Sequence, residues 1–527
     1  MKTQQPARPA ATDENKRFTK AAGVVGLYTL LSRILGFIRD MVIAWFFGAG
    51  MLSDAFFVAF RLPNLFRRLF GEGSLTIAFI PVFSAHMAAH GKEEAFDLAR
   101  SALRMLSMIL VLIVIIGIIA APGIVRIIAP GFHGVQFSLT VTLTQVMFPY
   151  VFLICLVALC MGILNAMGHF AAPALAPVLL NLSIIISVLF LSPHLPEPVL
   201  GLAIGVLIGG VLQLGLQVPF MMQKGFYFWH PAKIYHPALK RIGSMMIPSV
   251  FGAAVYQISI LIGTLLASFL PEGSVSYLYY ADRVVQFPLG VFAVSMSVAV
   301  LPSLSRQAAD GNMADLKDTF AYAVKMIFFI TAPASIGLMA LRQPIVNLLF
   351  QRGAFDAASA AMTADALLCF SIGLCAFSAV RIVVSIFYAL GDAQTPVKIA
   401  IISILANIIA GITLMGPLGH SGLALATSLS SFLNVGLLTL ALRKKLGGFG
   451  GKKIVESVLK SVICSFVMGS CLWTLAELMP ATGAPSSFQS LLIVATGIGS
   501  GIFIYCLSAY FLKSRELKEI LTFARKG

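Results

Sequence analysis

The sequence predicts an all-α polytopic membrane protein with fourteen transmembrane helices, arranged as two parallel repeats of six helices followed by two more. Composition is the first reason: of 527 residues, 59% are hydrophobic and only 11% are charged, whereas soluble domains carry about 25% charged residues. The mean hydropathy is +0.94. Apolar runs of about 20 residues, the length that crosses a bilayer, recur along the chain. An internal repeat is the third reason.

Apolar runs between Pro, Gly and charge clusters define the predicted spans. They are 21–47, 53–86, 95–121, 137–166, 173–192, 199–222, 241–270, 276–307, 316–341, 357–390, 396–416, 421–442, 454–479 and 488–512. Several are longer than a bilayer requires and contain Gly or Pro, which predicts tilted, bent or broken helices. Residues 1–20 are polar and are expected to form a cytoplasmic tail without a signal peptide.

The distribution of the 37 Lys and Arg residues predicts the orientation. With the amino terminus inside, most of them fall in cytoplasmic tails, loops or helix ends, and Arg126, Arg342 and Arg352 fall outside. By the positive-inside rule, both termini are cytoplasmic. The net charge of +16 is then a topology signal, and no nucleic-acid partner is needed to explain it.

The two halves of the chain are similar at an offset of about 222 residues. Gly168 and Pro173 recur as Gly391 and Pro396, and Arg61 recurs as Arg283. Six spans separate the matched positions, so the repeats are parallel, an arrangement that places a substrate site between them. The predicted domains are a tail (1–20), a first lobe (21–223), a linker (224–240), a second lobe (241–446), two further helices (447–512) and a cytoplasmic tail (513–527).

Charged residues at membrane depth mark the candidate site. Residues 28–86 contain Arg33, Arg39, Arg61, Arg67 and Arg68, with the acids Asp40, Asp54 and Glu72. One such charge at the bilayer centre costs roughly 2.5–3.5 kcal/mol, so these side chains are expected to line a polar cavity. Asp54, Arg61 and Arg68 recur every seven residues and Glu72 follows by four, which predicts one shared helical face.

The second half adds Asp282, Arg283 and Arg381, so that arginines outnumber acids and the cavity is expected to bind an anion. Arginine suits bidentate phosphate contact. Internal ion pairs that only fasten helices explain Asp54 with Arg61, or Arg68 with Glu72, equally well. Arg67 could instead extend to the membrane interface, and the role of Arg381 is open.

Other chemistry has little support in the sequence. The run "GGFGGKK" lacks the first glycine and the Ser/Thr of a phosphate-binding loop. The eight histidines lie at loops and helix ends without the spacing of a metal motif, and the seven cysteines lie in apolar runs. We therefore expect no catalytic residues, no metal and no cofactor.

Several motifs resemble the MurJ (MviN) family of lipid II flippases. They are "SRILGFIRD", "FGAG", "SDAFFVAFRLPNLFRRLFGEG", "AFIPVFS", "SVSYLYYADRVVQFPLGV" and "ALGDAQTPVKIAI". The resemblance implies the fold of the multidrug/oligosaccharidyl-lipid/polysaccharide (MOP) exporter superfamily, with two six-helix lobes that rock around a central cavity. It further implies a bacterial cytoplasmic membrane and transport of lipid II, an undecaprenyl-diphosphate-linked disaccharide pentapeptide, from the inner to the outer leaflet.

Position by position, the resemblance carries the family's cavity residues onto this chain. They are Ser32, Arg33, Arg39, Asp40, Asp54, Arg67, Arg68, Glu72 and Arg283, and Arg33, Arg39 and Arg283 are expected to bind the diphosphate. The last two helices are expected to form a groove for the lipid tail. Gln286 stands where family members have Glu, and spans 241–270 and 396–416 lack the acids of the family's sodium site. We therefore expect no bound sodium.

Partners and alternatives follow from the same reasoning. Lipid II and membrane lipids are the expected partners, with contact to the cell-wall synthesis machinery as a further possibility. The alternative function is export of another polyprenyl-linked glycan, or of drugs, in the same superfamily. An exporter of cationic drugs would need an excess of acids, and an enzyme acting on polyprenyl diphosphates would need acids clustered for Mg²⁺. An inert scaffold would need no buried arginines.

Overall fold

The computed structural model describes residues 11–69, 75–231, 233–478 and 487–526, and their regular secondary structure is helical. The helices are α1 (Ala11–Phe47), α2 (Met51–Phe66), α3 (Leu75–His90), α4 (Lys92–Ile128), α5 (Gly134–Met147), α6 (Pro149–Ala166), α7 (Ala171–Ile186), α8 (Leu200–Gln223), α9 (Ala238–Ala267), α10 (Ser274–Pro288), α11 (Ser295–Ala309), α12 (Met313–Ala340), α13 (Arg342–Phe350), α14 (Ala357–Ala389), α15 (Gln394–Leu446), α16 (Gly451–Leu478), α17 (Ser487–Phe511) and α18 (Arg515–Lys526).

Ten helical segments in the described part of the chain are long and apolar enough to cross a membrane. Large apolar side chains on them face outward, such as Ile119 and Phe511, which are 74% and 73% exposed. Such surfaces are stable in lipid and would aggregate in water. The protein is therefore a multi-pass, all-helical membrane protein, as the composition predicts.

Several predicted spans are bent or broken, which confirms the expectation from their Gly and Pro content. α15 contains Gly419 at φ 56° and ψ −136°, a conformation outside the helical region that divides it near the predicted boundary between spans 396–416 and 421–442. After Pro288, α10 passes into a π-helical segment, Leu289–Val294. Another π-helical segment, Ser187–Leu191, follows α7.

The predicted span 53–86 is divided in the structure. α2 ends at Phe66, residues 67–69 form π-helix and α3 begins at Leu75. Residues 70–74, which include Glu72, lie outside the described part of the chain. Because a π-helical turn contains more residues than an α-helical one, regular α-helix does not continue the face shared by Asp54 and Arg61 as far as Arg68.

Two compact units are defined by contacts within the chain. Unit 1 comprises residues 1–43, 55–128 and 132–257, and unit 2 comprises residues 44–54, 129–131 and 258–527. The predicted lobes 21–223 and 241–446 have different limits. Unit 1 includes most of α9, and unit 2 includes two short segments from the amino-terminal half of the chain.

The core of unit 1 is built on α3, α4 and α6, where Phe79, Phe83 and Phe96 are fully buried. α7 and α8 pack through small residues. A Cβ at Gly205 would lie 2.8 Å from Ser187 Cβ, and Ser183 Oγ donates to Gly205 O at 2.7 Å. Small residues allow such close helix contact in membranes, so the pair Gly205 and Gly209 serves packing.

Unit 2 contains α12, α16 and α17 as one packed group, in which Tyr505 donates to Phe329 O at 2.7 Å. The short segments from the first half are held by backbone contacts. Ser268 Oγ accepts from Gly131 N at 3.1 Å, and Ala354 N donates to Trp45 O at 2.9 Å. These contacts explain why residues 44–54 and 129–131 belong to unit 2.

The turn between α14 and α15 carries a well-defined ion pair. Asp392 accepts from Lys445 Nζ at 2.7 Å, from Thr395 Oγ1 at 2.8 Å and from Thr395 N at 3.1 Å. The hydrogen bond from Lys445, together with those from Thr395, lowers the pKa of Asp392 to about 2. This carboxylate caps the start of α15 and binds the last turn of the same helix.

Candidate functional site

Arg39 is the most buried of the arginines predicted to bind substrate. Its side chain lies in unit 1, where Nε and Nη2 donate to Asp40 Oδ1 at 3.0 and 2.7 Å and Nη1 donates to Asn181 Oδ1 at 3.1 Å. Arg39 is 7% exposed and Asp40 is fully buried. Because all three nitrogen atoms of the guanidinium donate hydrogen bonds, the orientation of the Arg39 side chain is fixed. The single ammonium group of a lysine could not make the same set of contacts.

Asn181 on α7 completes this group, and sequence reasoning missed it. Its Nδ2 donates to Ser32 O at 3.0 Å, so that one amide links the backbone of α1 to the side chain of Arg39. A Cβ at Gly36 would lie 3.5 Å from the same Nδ2, so this glycine lies close to Asn181. The only available signal was a single Asn within the apolar run "APVLLNLSIII".

The remaining arginines of unit 1 have different environments. Arg33 on α1 is exposed, whereas Arg61, Arg67 and Arg68 are half-buried. Arg67 donates from Nε and Nη2 to Asn64 Oδ1 at 3.1 and 2.9 Å. Arg68 Nε is buried and has no hydrogen-bond partner among the described residues. Arg67 therefore has a specific local partner in this structure.

Asp54 belongs to unit 2, where it caps the amino terminus of α10. Its Oδ2 accepts from Gly273 N at 2.7 Å, and its Oδ1 accepts from Ser276 N at 2.8 Å and from Ser276 Oγ at 2.5 Å. Backbone N–H groups at a helix start lack partners within the helix and carry partial positive charge, so they stabilise a carboxylate. The carboxylate is 2% exposed.

The Asp54 carboxylate is therefore held by α10 within unit 2, while its predicted pairing with Arg61 or role in orienting an arginine stays a prediction. Three donors from residues 273 and 276 already occupy both oxygens of the carboxylate. The sequence spacing was sound for α2 itself, but it could not reveal a partner more than 200 residues away. Glu72, the other acid of this predicted face, lies outside the described residues.

α10 also carries the second-half residues of the predicted site. Arg283 is half-buried, and its guanidinium lies over the ring of Tyr279, 5.6 Å from the centroid. Gln286 Nε2 donates weakly to Asp282 Oδ1 at 3.4 Å. Asp54 on α2 therefore caps the same helix, α10, that carries Arg283. Arg381 on α14 is exposed.

The chain is similar in sequence to known lipid II flippases. The family model described as "Lipid II flippase MurJ" matches residues 43–494. A "Probable lipid II flippase MurJ" from Vibrio cholerae is 35% identical over 517 residues, covering 96% of this chain and 98% of that protein. A "Lipid II flippase MurJ" from Burkholderia cenocepacia is 37% identical over 432 residues, covering 81% and 84%.

The fold is also similar to those of solved membrane transporters. One described as "Lipid II flippase MurJ, inward closed conformation" superposes with a TM-score of 0.79 at 28% identity, covering 93% of this chain and 98% of the other. An inward-facing multidrug transporter of the MOP superfamily gives a TM-score of 0.68 at 19% identity, covering 79% and 95%. The second likeness concerns the fold alone.

Proposed function

The chain belongs to the MurJ family of lipid II flippases, and we propose that it moves lipid II from the inner to the outer leaflet of a bacterial cytoplasmic membrane by alternating access. It is a lipid II flippase in peptidoglycan biosynthesis. The proposed cycle uses neither nucleotide hydrolysis nor a cofactor, since the sequence contains no phosphate-binding loop. The diphosphate of lipid II supplies the anion that the arginine-rich sequence predicts.

One observation supports the proposed site: both buried acids among its predicted residues, Asp40 and Asp54, are already bound by other groups. Asp54 is bound by the start of α10, and Asp40 is bound by Arg39. Within unit 1, Arg33 is exposed, and the buried Nε of Arg68 has no hydrogen-bond partner among the described residues. This leaves cationic groups suited to a diphosphate.

The proposed roles follow from these contacts. Arg33, Arg39 and Arg283 bind the diphosphate, with Arg67 and Arg68 as further cations. Asp40 and Asn181 orient Arg39, while Asp54 fixes the start of the helix that carries Arg283. Supporting roles are proposed for Ser32, Arg61 and Gln286, and Glu72 stays a predicted cavity acid.

We further propose the full architecture of fourteen helices with both termini in the cytoplasm. α15 contributes two spans because it breaks at Gly419. α1, α2 with α3, and α9 supply the spans that the ten long apolar segments do not include. Two six-helix lobes then precede α16 and α17, which are proposed to form the lipid-tail groove. Contact with the cell-wall synthesis machinery is a further proposal, and sodium has no proposed role.

Depletion of the protein provides the direct test. A strain in which this chain is the only flippase should accumulate lipid II in the inner leaflet when expression stops, and should lose outward lipid II before it loses total lipid II. Accumulation of a different polyprenyl-linked glycan, with normal lipid II at the outer leaflet, would instead support the alternative exporter. A cell that accumulates neither would contradict transport by this chain.

A further inference from the structure

A cluster of metal-ligating side chains lies in unit 1, apart from the arginines of the proposed transport site. It consists of His86 on α3, Glu94 in the first turn of α4 and His236, two residues before α9. One ligand atom from each lies within 4.8 Å of the other two. His236 Nε2 and Glu94 Oε1 are 3.5 Å apart.

We propose that His86, Glu94 and His236 bind one Zn²⁺ ion. Two imidazoles and a carboxylate form a ligand set that zinc uses in proteins, with water in the fourth position. In a tetrahedron with bonds of about 2.1 Å, ligand atoms lie about 3.4 Å apart. The separation of His236 and Glu94 already matches this value, and the third ligand requires only a small movement of side chains at a partly exposed surface.

The environment of His86 supports the proposal, because one ring nitrogen of this residue lacks a partner among the described residues. Its Nε2 is buried and has no hydrogen-bond partner among the described residues. The rings of His90 and His236 lie 4.4 and 5.0 Å away, centroid to centroid, and Glu94 is the acid of the group. Buried imidazole nitrogens normally have a hydrogen bond or a metal. A metal ion would give this nitrogen the partner that it lacks.

Binding changes one hydrogen bond at His236. Ala238 N donates to His236 Nδ1 at 3.2 Å, so the neutral ring carries its proton on Nε2, facing Glu94. Coordination through Nε2 moves this proton to Nδ1 and ends the contact with Ala238. Because the imidazoles must be neutral to bind, protons compete with zinc, and affinity falls at acid pH.

The ion would fasten the segment between α8 and α9 to α3 and α4. Two contacts already hold this segment: Ser101 Oγ donates to Lys233 O at 2.6 Å, and Arg104 Nη2 donates to His230 O at 2.8 Å. The predicted linker 224–240 is the connection between the two repeats. Bound zinc would restrain the last residues of this linker. The proposed transport function neither requires nor implies such a restraint.

Zinc titration of the purified full chain, with any histidine tag removed, tests the site. Calorimetry should show one Zn²⁺ per chain with micromolar or tighter affinity, and Co²⁺ should give the visible absorption of a four-coordinate site. Glu94→Gln and His236→Gln should each weaken binding at least tenfold. The matched control is Glu93→Gln, because Glu93 is adjacent, 80% exposed and outside the cluster. Equal affinity in all variants, or no binding by the wild type below millimolar zinc, would overturn the proposal.

Hydrogen exchange gives a readout that does not depend on transport. Zinc should slow exchange at amides of residues 226–231 and 233–236 in the wild type and in Glu93→Gln, and should have no effect in Glu94→Gln. Unchanged exchange in the wild type with zinc bound would overturn the restraint of this segment. Since neither experiment measures lipid II, their failure leaves the flippase assignment unaffected.

Discussion

Asp54 and Ser276 form a buried contact in which the Asp54 carboxylate accepts both the backbone N–H and the hydroxyl of Ser276, at 2.8 and 2.5 Å. The first backbone N–H groups of an α-helix have no acceptor within the helix, and the Asp54 carboxylate supplies acceptors at the start of α10. Arg283 lies on the same helix. A change in the stability of this cap therefore affects the helix that holds Arg283, one of the cations proposed to bind the substrate.

The cap predicts a graded loss of stability. Asp54→Ala leaves the buried N–H groups of Gly273 and Ser276 without an acceptor, each costing about 1–3 kcal/mol. Asp54→Asn retains one acceptor and should cost about half as much. Thermal unfolding in detergent measures both. Ser276→Ala should cost less, because only its hydroxyl is lost, and equal melting temperatures for all variants would contradict the capping role.

Arg39 and Arg283 are expected to be essential for transport. Loss of a charged hydrogen bond to the diphosphate removes about 1.5–3 kcal/mol, so Arg39→Ala or Arg283→Ala should reduce flipping more than tenfold. Membrane insertion should be unchanged. Arg39→Lys should restore little, because it cannot contact Asp40 and Asn181 together. Normal growth with either alanine variant as the only copy would refute the diphosphate role.

A double variant separates binding from stability at Arg39. Arg39→Ala removes the cation that faces a fully buried Asp40, which should lower stability by about 3–5 kcal/mol. Arg39→Ala/Asp40→Ala removes both charges and should recover much of that stability without recovering flipping. Recovery of flipping by the double variant would show that Arg39 serves only to neutralise Asp40. Arg126→Ala, at an exposed position near Phe137, is the matched control.

Cysteine labelling tests the fourteen-span topology. In a background without the seven native cysteines, cysteines at Gly50 and Pro196 should react with an impermeant thiol reagent added outside. Those at Gly91 and Gly448 should react only after the membrane is permeabilised. Ala484, a further predicted outside position, lies outside the described residues. Opposite labelling at two or more sites would rule out the proposed orientation.

The ion pair of Asp392 and Lys445 predicts a pH dependence. The folded-state pKa of Asp392 is about 2, below the ordinary value of 3.8, so its contribution to stability is complete above about pH 4 and is lost as pH falls toward 2. Because the pair is partly exposed, Asp392→Asn should cost at most about 1 kcal/mol at neutral pH. The melting temperatures of wild type and variant should converge as pH falls from 4 to 2. A difference that persists at pH 2 would contradict this assignment.

The membrane potential is expected to drive the cycle. A diphosphate carries roughly two negative charges, and 100 mV, negative inside, favours outward movement of each by about 2.3 kcal/mol. The empty cavity with its arginines is drawn inward by the same field. Collapsing the potential at constant ATP and fixed ion gradients should stop flipping and increase labelling of a cysteine at Ala49. Undiminished flipping with unchanged labelling would mean that another gradient, or lipid II supply alone, drives transport.

The all-helical, multi-pass membrane fold could be predicted from the sequence because a low charge content and apolar runs of bilayer length extend along the whole chain; the helix count, the repeat and the orientation stay predictions. Candidate site residues could be proposed from the sequence because a charged residue in an apolar span is rare. Their partners could not. Ser276 and Asn181 are ordinary polar residues whose role depends on which helices meet, and a seven-residue spacing around Asp54 carries no information about α10. His236 is likewise separated from Glu94 by 142 positions.

The long separation of Asp54 and Ser276 has a consequence for biosynthesis. The two residues are 222 positions apart, and ribosomes add about 5–20 residues per second, so on the order of ten to forty seconds pass between their syntheses. During that interval, the side chain of Asp54 on α2 lacks the donors that it contacts in the finished protein. Asp54→Asn, which carries no charge, should therefore ease early insertion of α2 and weaken the later assembly of α2 with α10.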